Sequence, residues 1–214
     1  MSKYELVIFD CDGVLVDSES ISCGAIAEIA TELGFPMTTQ ASIDYFVGTS
    51  IEYAVDFLKD KISKPIPTDL ESRYRKICHE RFQTELKPIP GIESFLNQLD
   101  LPKCVGSNGP RYKIISNLEI TNLIHYFDKA QLFSAYDIQK WKPLPDLYLH
   151  AAHQMNVTPQ KCVVVEDSVA GVKAARAAGM SVYGYAGDTD GTALAAAGAN
   201  VITSMDELSH IIKG

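Results

Sequence analysis

Leu6, Val7, Ile8 and Phe9 form an unbroken apolar run that turns acidic at Asp10 and Asp12, with Gly13 next. A short apolar run closed by polar residues predicts a strand covered on both faces in a parallel sheet. From Ser18 to about Leu86 the apolar positions instead recur at helical spacing. Ile21, Ala25, Ile29 and Leu33 step by four before Gly34, a stop signal. Thr49-Ser50-Ile51-Glu52 reads as a capping box that opens a stripe of Ile51, Val55, Leu58 and Ile62. Leu70, Tyr74, Cys78, Phe82 and Leu86 make a further stripe, so this stretch predicts a small bundle of four or so helices.

After Lys87–Gly91 the pattern changes to short apolar runs alternating with helical segments. The runs are Cys104–Gly106, Gln131–Phe133, Cys162–Val165, Val182–Tyr185 and Val201–Ile202, and Pro110, Ser168 and Ser204 open helices. Such alternation predicts an α/β class, a doubly wound parallel sheet with helices on both faces. The expected organisation is a Rossmann-like core of residues 1–16 and 88–214, with a helical cap of residues 17–87 inserted after the first strand.

The net charge of −8 speaks against nonspecific nucleic-acid binding, which needs a basic footprint. It does not exclude an anionic substrate, because a lysine and a divalent metal can reverse the field inside a cleft. No apolar run reaches membrane-spanning length, and the aspartates interrupt the only apolar stretch near the N-terminus. Five cysteines without CxxC spacing read as reduced structural thiols of a cytoplasmic protein. No obligatory protein partner is evident.

Four polar signals fall at equivalent places. Asp10 and Asp12 follow the first strand, Ser107 and Asn108 the second, Lys142 lies beyond the third, and Glu166 and Asp167 follow the fourth. In a parallel sheet each would reach one carboxyl edge, where ligands bind. Carboxylates this close repel one another and repel phosphate, each pair by about 4 kcal/mol at 4 Å and an effective dielectric of about 20. Entry of an anion therefore requires cations, and hard oxygen donors suit Mg²⁺. Lys142 supplies a second positive charge, and Ser107 with nearby backbone N–H groups can bind phosphate oxygens.

The segments FDCDGVLVD, GSNG, KPLPD and VVVEDSVAGVKAARAAGM closely resemble the haloacid dehalogenase-like hydrolase superfamily over essentially the whole chain. The resemblance implies that Asp10 attacks phosphorus to form an aspartyl-phosphate, and that Asp12 protonates the leaving alcohol and then activates water. It implies that Ser107 and Lys142 hold the phosphoryl group, with Gly13 and Asn108 beside them. Asp10, Asp167 and the Asp12 backbone carbonyl would hold Mg²⁺, with Glu166 binding it directly or, preferably, through water. The helical insertion resembles the superfamily's small cap.

An aspartate at position 12 favours phosphate esters over dehalogenation or phosphonate cleavage, since only the ester leaves as an alkoxide needing a proton. The alternative within the class is a β-phosphoglucomutase-type sugar phosphomutase. Relatives of that type carry a cap Gly-x-Ser-Arg cation for the distal phosphate, where this chain has Gly48-Thr49-Ser50-Ile51. Arg73, Arg75 and Arg81 are the substitutes on offer. The SNGPRYK and YDIQKWKP segments look similar to phosphogluconate-phosphatase-type members, making a small phosphorylated sugar or phosphosugar acid the expected substrate. Glu19, Thr49, Arg111 and Trp141 are candidates for leaving-group contacts. A phosphometabolite-binding module is the non-enzyme alternative, but it would have lost one of Asp10, Asp12, Lys142 or Asp167. Ser107 lies in no G-x-S-x-G elbow, against a serine hydrolase. His150 and His153, three apart, lack further metal-ligand partners at suitable spacing.

Overall fold

A computed structural model describes residues 3–47, 49, 51–62, 65–187 and 189–213. The chain divides into two compact units, Met1–Val16 with Pro88–Gly214, and Asp17–Lys87.

The first unit is an α/β fold. Strand β1 (Leu6–Phe9) opens it, and four helices of the second unit follow: α1 (Ser18–Glu32), α2 (Thr39–Phe46), α3 (Ile51–Lys61) and α4 (Leu70–Glu85). The first unit resumes with α5 (Ile92–Gln98), β2 (Lys103–Ser107), α6 (Arg111–Ile120), β3 (Leu132–Ser134), α7 (Ala135–Ile138) and α8 (Asp146–Gln154). It ends with β4 (Cys162–Glu166), α9 (Val169–Ala177), β5 (Ser181–Tyr185), α10 (Thr192–Ala196), β6 (Asn200–Ile202) and α11 (Met205–Lys213). The six strands lie in the order β3-β2-β1-β4-β5-β6, every neighbour parallel. The doubly wound parallel sheet expected from the alternating pattern is therefore present.

β1 is central because it is apolar throughout. Ile8 lies opposite Cys104 of β2 and Val164 of β4, and all four β1 residues have no exposed surface. Successive side chains face opposite ways. Leu6 and Ile8 join Cys104, Val164, Tyr148, Ala151 and Val172 in one core cluster. Phe9 points the other way and meets the edges of Phe95 and Phe127 at 6.0 and 6.3 Å. β2 and β4 each run one residue beyond the predicted apolar core, to Ser107 and Glu166. Their final residues are polar, so hydrophobic patterning alone truncates them.

The chain leaves and re-enters this unit at one place. Val16 and Pro88 form an antiparallel bridge, and Ile89 N donates to Leu15 O at 3.0 Å. Within the helical unit, Asp17 N donates to Lys87 O at 2.9 Å, tying its two ends. The Asp17 side chain also caps α1 by accepting from Ser20 N. α1 gives way at Leu33, followed by Gly34 at φ +94°, as its stop signal predicts. Ile29, Ala30, Leu58 and Leu70 bury together, and Cys23, Ile26, Phe46 and Ala54 form a second cluster. α2 had no distinct stripe in the pattern; Thr38 caps it through Ala41 N. Gly48 and Ser50, part of the expected capping and phosphate-contact segment, lie outside the described residues.

All five cysteines are free and buried. Among the described residues no helix is long and apolar enough to cross a membrane.

Because Ile8 packs in the middle of a closely fitted sheet–helix layer, Ile8→Ala should lower unfolding stability by about 3 kcal/mol, the usual cost of an aliphatic core deletion. Urea denaturation at constant m-value measures it; a loss below about 1 kcal/mol would contradict this packing.

Candidate active site

Parallel strands bring their carboxyl ends to one edge, and three of those ends carry chemistry: Asp10 after β1, Ser107 closing β2 and Glu166 closing β4. The loop after α7 adds Lys142. Asp10, Ser107, Lys142 and Glu166 are all buried. Lys142 Nζ sits 3.0 Å from Asp10 Oδ1 and 2.5 Å from Glu166 Oε1. Burying these charges is costly unless they are paired and their hydrogen-bonding capacity is filled.

Glu166 meets that condition. Its Oε1 also accepts from Tyr148 OH at 2.6 Å, and its Oε2 accepts from Ser168 N and Ser168 Oγ at 3.0 and 2.9 Å. The Lys142 ammonium lies 5.0 Å from the Tyr148 ring centroid, within cation–π range. Room for the carboxylate depends on Gly171, where a Cβ would come within 1.7 Å of Glu166 Oε1. Both Glu166 oxygens are thus occupied by protein donors. The expectation that Glu166 is a metal ligand, direct or through water, meets a carboxylate whose first partner is Lys142.

The charges are unequally supported. Burial pushes the Asp10 carboxyl up to about 7, opposed by Lys142 and reinforced by the negative charge of Glu166. Burial also works to raise Glu166, but Lys142, Tyr148 and Ser168 together hold it below its ordinary value. Lys142 is desolvated too, yet Asp10 and Glu166 prevail and hold its ammonium above the usual lysine range. The ammonium therefore stays charged, and Asp10 is the group left most in need of a further cation.

Asp167 approaches from β4. Gly13, at φ +76°, leaves the space, since a Cβ there would lie 1.8 Å from Asp167 Oδ2. Asp10, Glu166 and Asp167 each offer a carboxylate oxygen within 4.8 Å of the others, the one such acidic group among the described residues that could hold a metal ion. Asp10 Oδ1 also accepts from Cys11 N at 2.7 Å. Ser107 Oγ accepts from Gly109 N at 3.0 Å, so its own proton remains for a ligand oxygen. Asn108 is placed differently from a simple phosphate ligand: its Oδ1 accepts from Lys142 N at 3.0 Å and ties the β2 loop to the lysine loop.

The Asp12 carboxylate accepts from Lys113 Nζ at 3.0 Å on Oδ2 and from Asn117 Nδ2 at 3.1 Å on Oδ1. Lys113, Asn117 and Tyr148 were not anticipated. Lys113 and Asn117 lie four apart on the helix after SNGP, a spacing that puts both on one face. Tyr148, three residues into α8, reads in sequence as ordinary core.

Arg111 is not brought into this cluster by its contacts. Its guanidinium pairs with Asp137 at 2.6 Å and donates to Lys129 O at 3.2 Å, on the surface. Trp141 is 38% exposed and meets Tyr136 edge-on at 5.6 Å. Glu19 lies in the first turn of α1, and Thr49 donates its hydroxyl to Phe46 O at 2.8 Å, both in the helical unit. There Ile51 packs against the two apolar clusters. Arg73, Arg75 and Arg81, the substitutes for a missing cap cation, pair with Glu32, Glu71 and Glu28. His150 stacks edge-on with Phe133 at 5.6 Å.

A carboxyl raised from 3.8 to about 7 keeps its proton in the folded state over a pH range where the unfolded chain has lost it. Without metal, Asp10 therefore withdraws stability as pH rises from about 4 to about 7, while Glu166 acts in the opposite sense and only in acid. Asn mimics the protonated carboxyl, so the melting temperature of Asp10→Asn relative to wild type in EDTA should climb across that window. Calorimetry at several pH values measures it, and a pH-independent difference would contradict the burial argument.

The haloacid dehalogenase-like hydrolase family model matches residues 7–185, the interval that spans every one of these site residues from β1 to β5. The 6-phosphogluconate phosphatase of Escherichia coli (strain K12) is 36% identical over all of this chain and 96% of its own. The phosphorylated carbohydrates phosphatase of Thermotoga maritima is 30% identical over 98% of each chain. A solved hydrolase of the family from Deinococcus radiodurans R1, crystallised with bound phosphate and sodium, superposes with a TM-score of 0.87 at 28% identity over 99% of each chain. With the acidic strand ends, the buried lysine and the order of the sheet all in agreement, the chain belongs to the haloacid dehalogenase-like hydrolase family.

Proposed function

We propose that this chain, a phosphatase, hydrolyses a small phosphorylated sugar or phosphosugar acid through an aspartyl-phosphate on Asp10, with Mg²⁺ as cofactor. The observation that carries the reading is the buried Lys142 held 3.0 Å from Asp10. It is a fixed positive charge beside a nucleophile, at the sheet edge where an anion would enter.

The donor set fits magnesium. Asp10, Asp12, Glu166 and Asp167 bring four carboxylates against the ammonium groups of Lys142 and Lys113, an excess of two negative charges among hard oxygen donors. Asp10, Asp167 and the Asp12 backbone carbonyl would hold the ion, with Glu166 retained by Lys142. When bound, Mg²⁺ neutralises that excess and draws electron density from the phosphoryl oxygens.

In this reading an Asp10 oxygen attacks phosphorus, the bond from phosphorus to the leaving oxygen breaks, and Asp12 gives that oxygen its proton. Asp12 then takes a proton from water as the water oxygen attacks phosphorus, which frees inorganic phosphate and restores Asp10. Lys142 and the Ser107 hydroxyl hold the phosphoryl oxygens throughout, a stabilisation strongest in the water-poor setting of a buried site. The helical unit is assigned the part of a cap recognising the leaving group. The names of the Escherichia coli and Thermotoga relatives support a phosphosugar substrate. In the helical unit Ile51 stands where relatives of the mutase type carry a cation, and Arg73, Arg75 and Arg81 are each paired with a glutamate, which supports hydrolysis over phosphoryl transfer between sugar positions.

Asp10→Asn should fold and lose at least about 10³-fold in phosphate release, and wild type should stop in EDTA and recover with Mg²⁺. A variant retaining most of its turnover removes Asp10 as nucleophile; indifference to EDTA removes the metal. Offered β-glucose 1-phosphate with a trace of the bisphosphate, the enzyme should yield free phosphate. Faster formation of glucose 6-phosphate would make it a mutase.

A further inference from the structure

Lys113 and Asn117 do something the family resemblance did not supply. Both project from α6 toward one carboxylate, and they divide it: Lys113 Nζ on Oδ2 at 3.0 Å, Asn117 Nδ2 on Oδ1 at 3.1 Å. α6 is itself anchored to the site, because it starts directly after the Ser107–Pro110 loop. That loop is fastened twice, by Gly109 N donating to Ser107 Oγ at 3.0 Å and by Ser134 Oγ donating to Gly109 O at 2.7 Å. The helix is also tied behind Asn117, whose carbonyl accepts from Thr121 Oγ1 at 2.8 Å. Asn117 is buried, and desolvated Lys113 is held above its ordinary lysine range by the Asp12 charge.

A carboxylate has about four acceptor directions. Two fixed donors, one per oxygen, restrict rotation of the Asp12 side chain and leave one direction on each oxygen for a proton in transit. The geometry points to Lys113 and Asn117 as positioning residues that orient Asp12 for proton exchange with the leaving alcohol and then with water. The assignment rests on the acid–base part given to Asp12 above. It also divides the two ammonium groups: Lys142 serves the nucleophile and phosphoryl group, and Lys113 serves the proton carrier.

A positioning part has a signature that a structural part lacks. An alkyl phosphate leaves as a strongly basic alkoxide and depends on the acid, whereas p-nitrophenyl phosphate leaves as a weakly basic phenolate and does not. General acid–base assistance is worth about 10²–10⁴ in rate. Lys113→Met should therefore lower kcat/KM, which reports the steps up to departure of the leaving group, by about 10²-fold on 6-phosphogluconate or another alkyl phosphate the wild type accepts. On p-nitrophenyl phosphate, under saturating Mg²⁺, the loss in kcat/KM should stay within about tenfold. Asn117→Ala should show the same bias to a smaller degree, and Lys113→Arg, which keeps a charged donor, should recover part of the alkyl rate. In an Asp12→Asn background, Lys113→Met should add little, because residues acting as one unit are not additive.

Circular dichroism and thermal melts identify any variant that fails to fold, and Lys113→Arg and Asn117→Ala then decide the matter. Equal losses in kcat/KM on both substrates, full activity in Lys113→Met, or additive effects with Asp12→Asn each overturn the assignment while the phosphatase reading stands. A wild type that releases no phosphate from any ester overturns that reading, and this assignment with it.

Discussion

The buried ammonium of Lys142, shared between Asp10 and Glu166, is the constraint around which the rest is arranged. A buried lysine between two buried acids is an unfavourable combination unless each polar atom is answered. The surroundings show the answers: Tyr148 and Ser168 complete Glu166, Asn108 holds the Lys142 backbone, and Gly171 admits the carboxylate at all. These groups come from α8, α9 and the loops that follow β2 and β4, so the cluster couples the sheet edge to the helix layer. Residues that look like packing therefore set the position of a charge. Tyr148 belongs to the same apolar cluster as Ile8 and Val164, yet its hydroxyl reaches the lysine's partner.

Unequal satisfaction within that cluster has a chemical consequence. Glu166 takes the larger share of donors and stays ionised; Asp10, with fewer, is driven up to about 7. The less well supported carboxylate of the two is thus the one proposed as nucleophile. A divalent cation beside Asp10 and Asp167 would supply the missing support and ready the oxygen for attack.

Much of this was legible in the chain. The run Leu6–Phe9 identified a strand covered on both faces because nothing polar interrupts it, and the alternation after Gly91 gave the doubly wound sheet because strand and helix periods differ. The polar residues at strand ends could be gathered in advance, since parallel topology sends every carboxyl end the same way. Pairwise commitments were not legible. Arg111 follows a promising motif, but its side chain goes to Asp137, which lies beyond β3 in the chain and is adjacent only in the fold. Asn108 carries a suitable amide and spends its carbonyl on Lys142 N. Periodicity tells which face a residue occupies; which partner it finds depends on distances that only the packed chain sets.

The same reasoning explains why Lys113 went unnoticed while Lys142 stood out. Lys142 lies in a loop beside two prolines, where a charge has little structural purpose, whereas Lys113 sits in a helix of mixed polarity, where lysine is ordinary. Only the position of Asp12, three residues past β1, gives that helix face a carboxylate to meet. A phosphate-ester hydrolase of this geometry handles two separate electrostatic problems, charge on phosphorus-bound oxygens and a proton on the leaving group. In the proposed reaction one ammonium would serve each, Lys142 from the loop after α7 and Lys113 from α6. Lys142 Nζ lies against Asp10 and Glu166 while Lys113 Nζ lies against Asp12, so the two ammonium groups face different carboxylates.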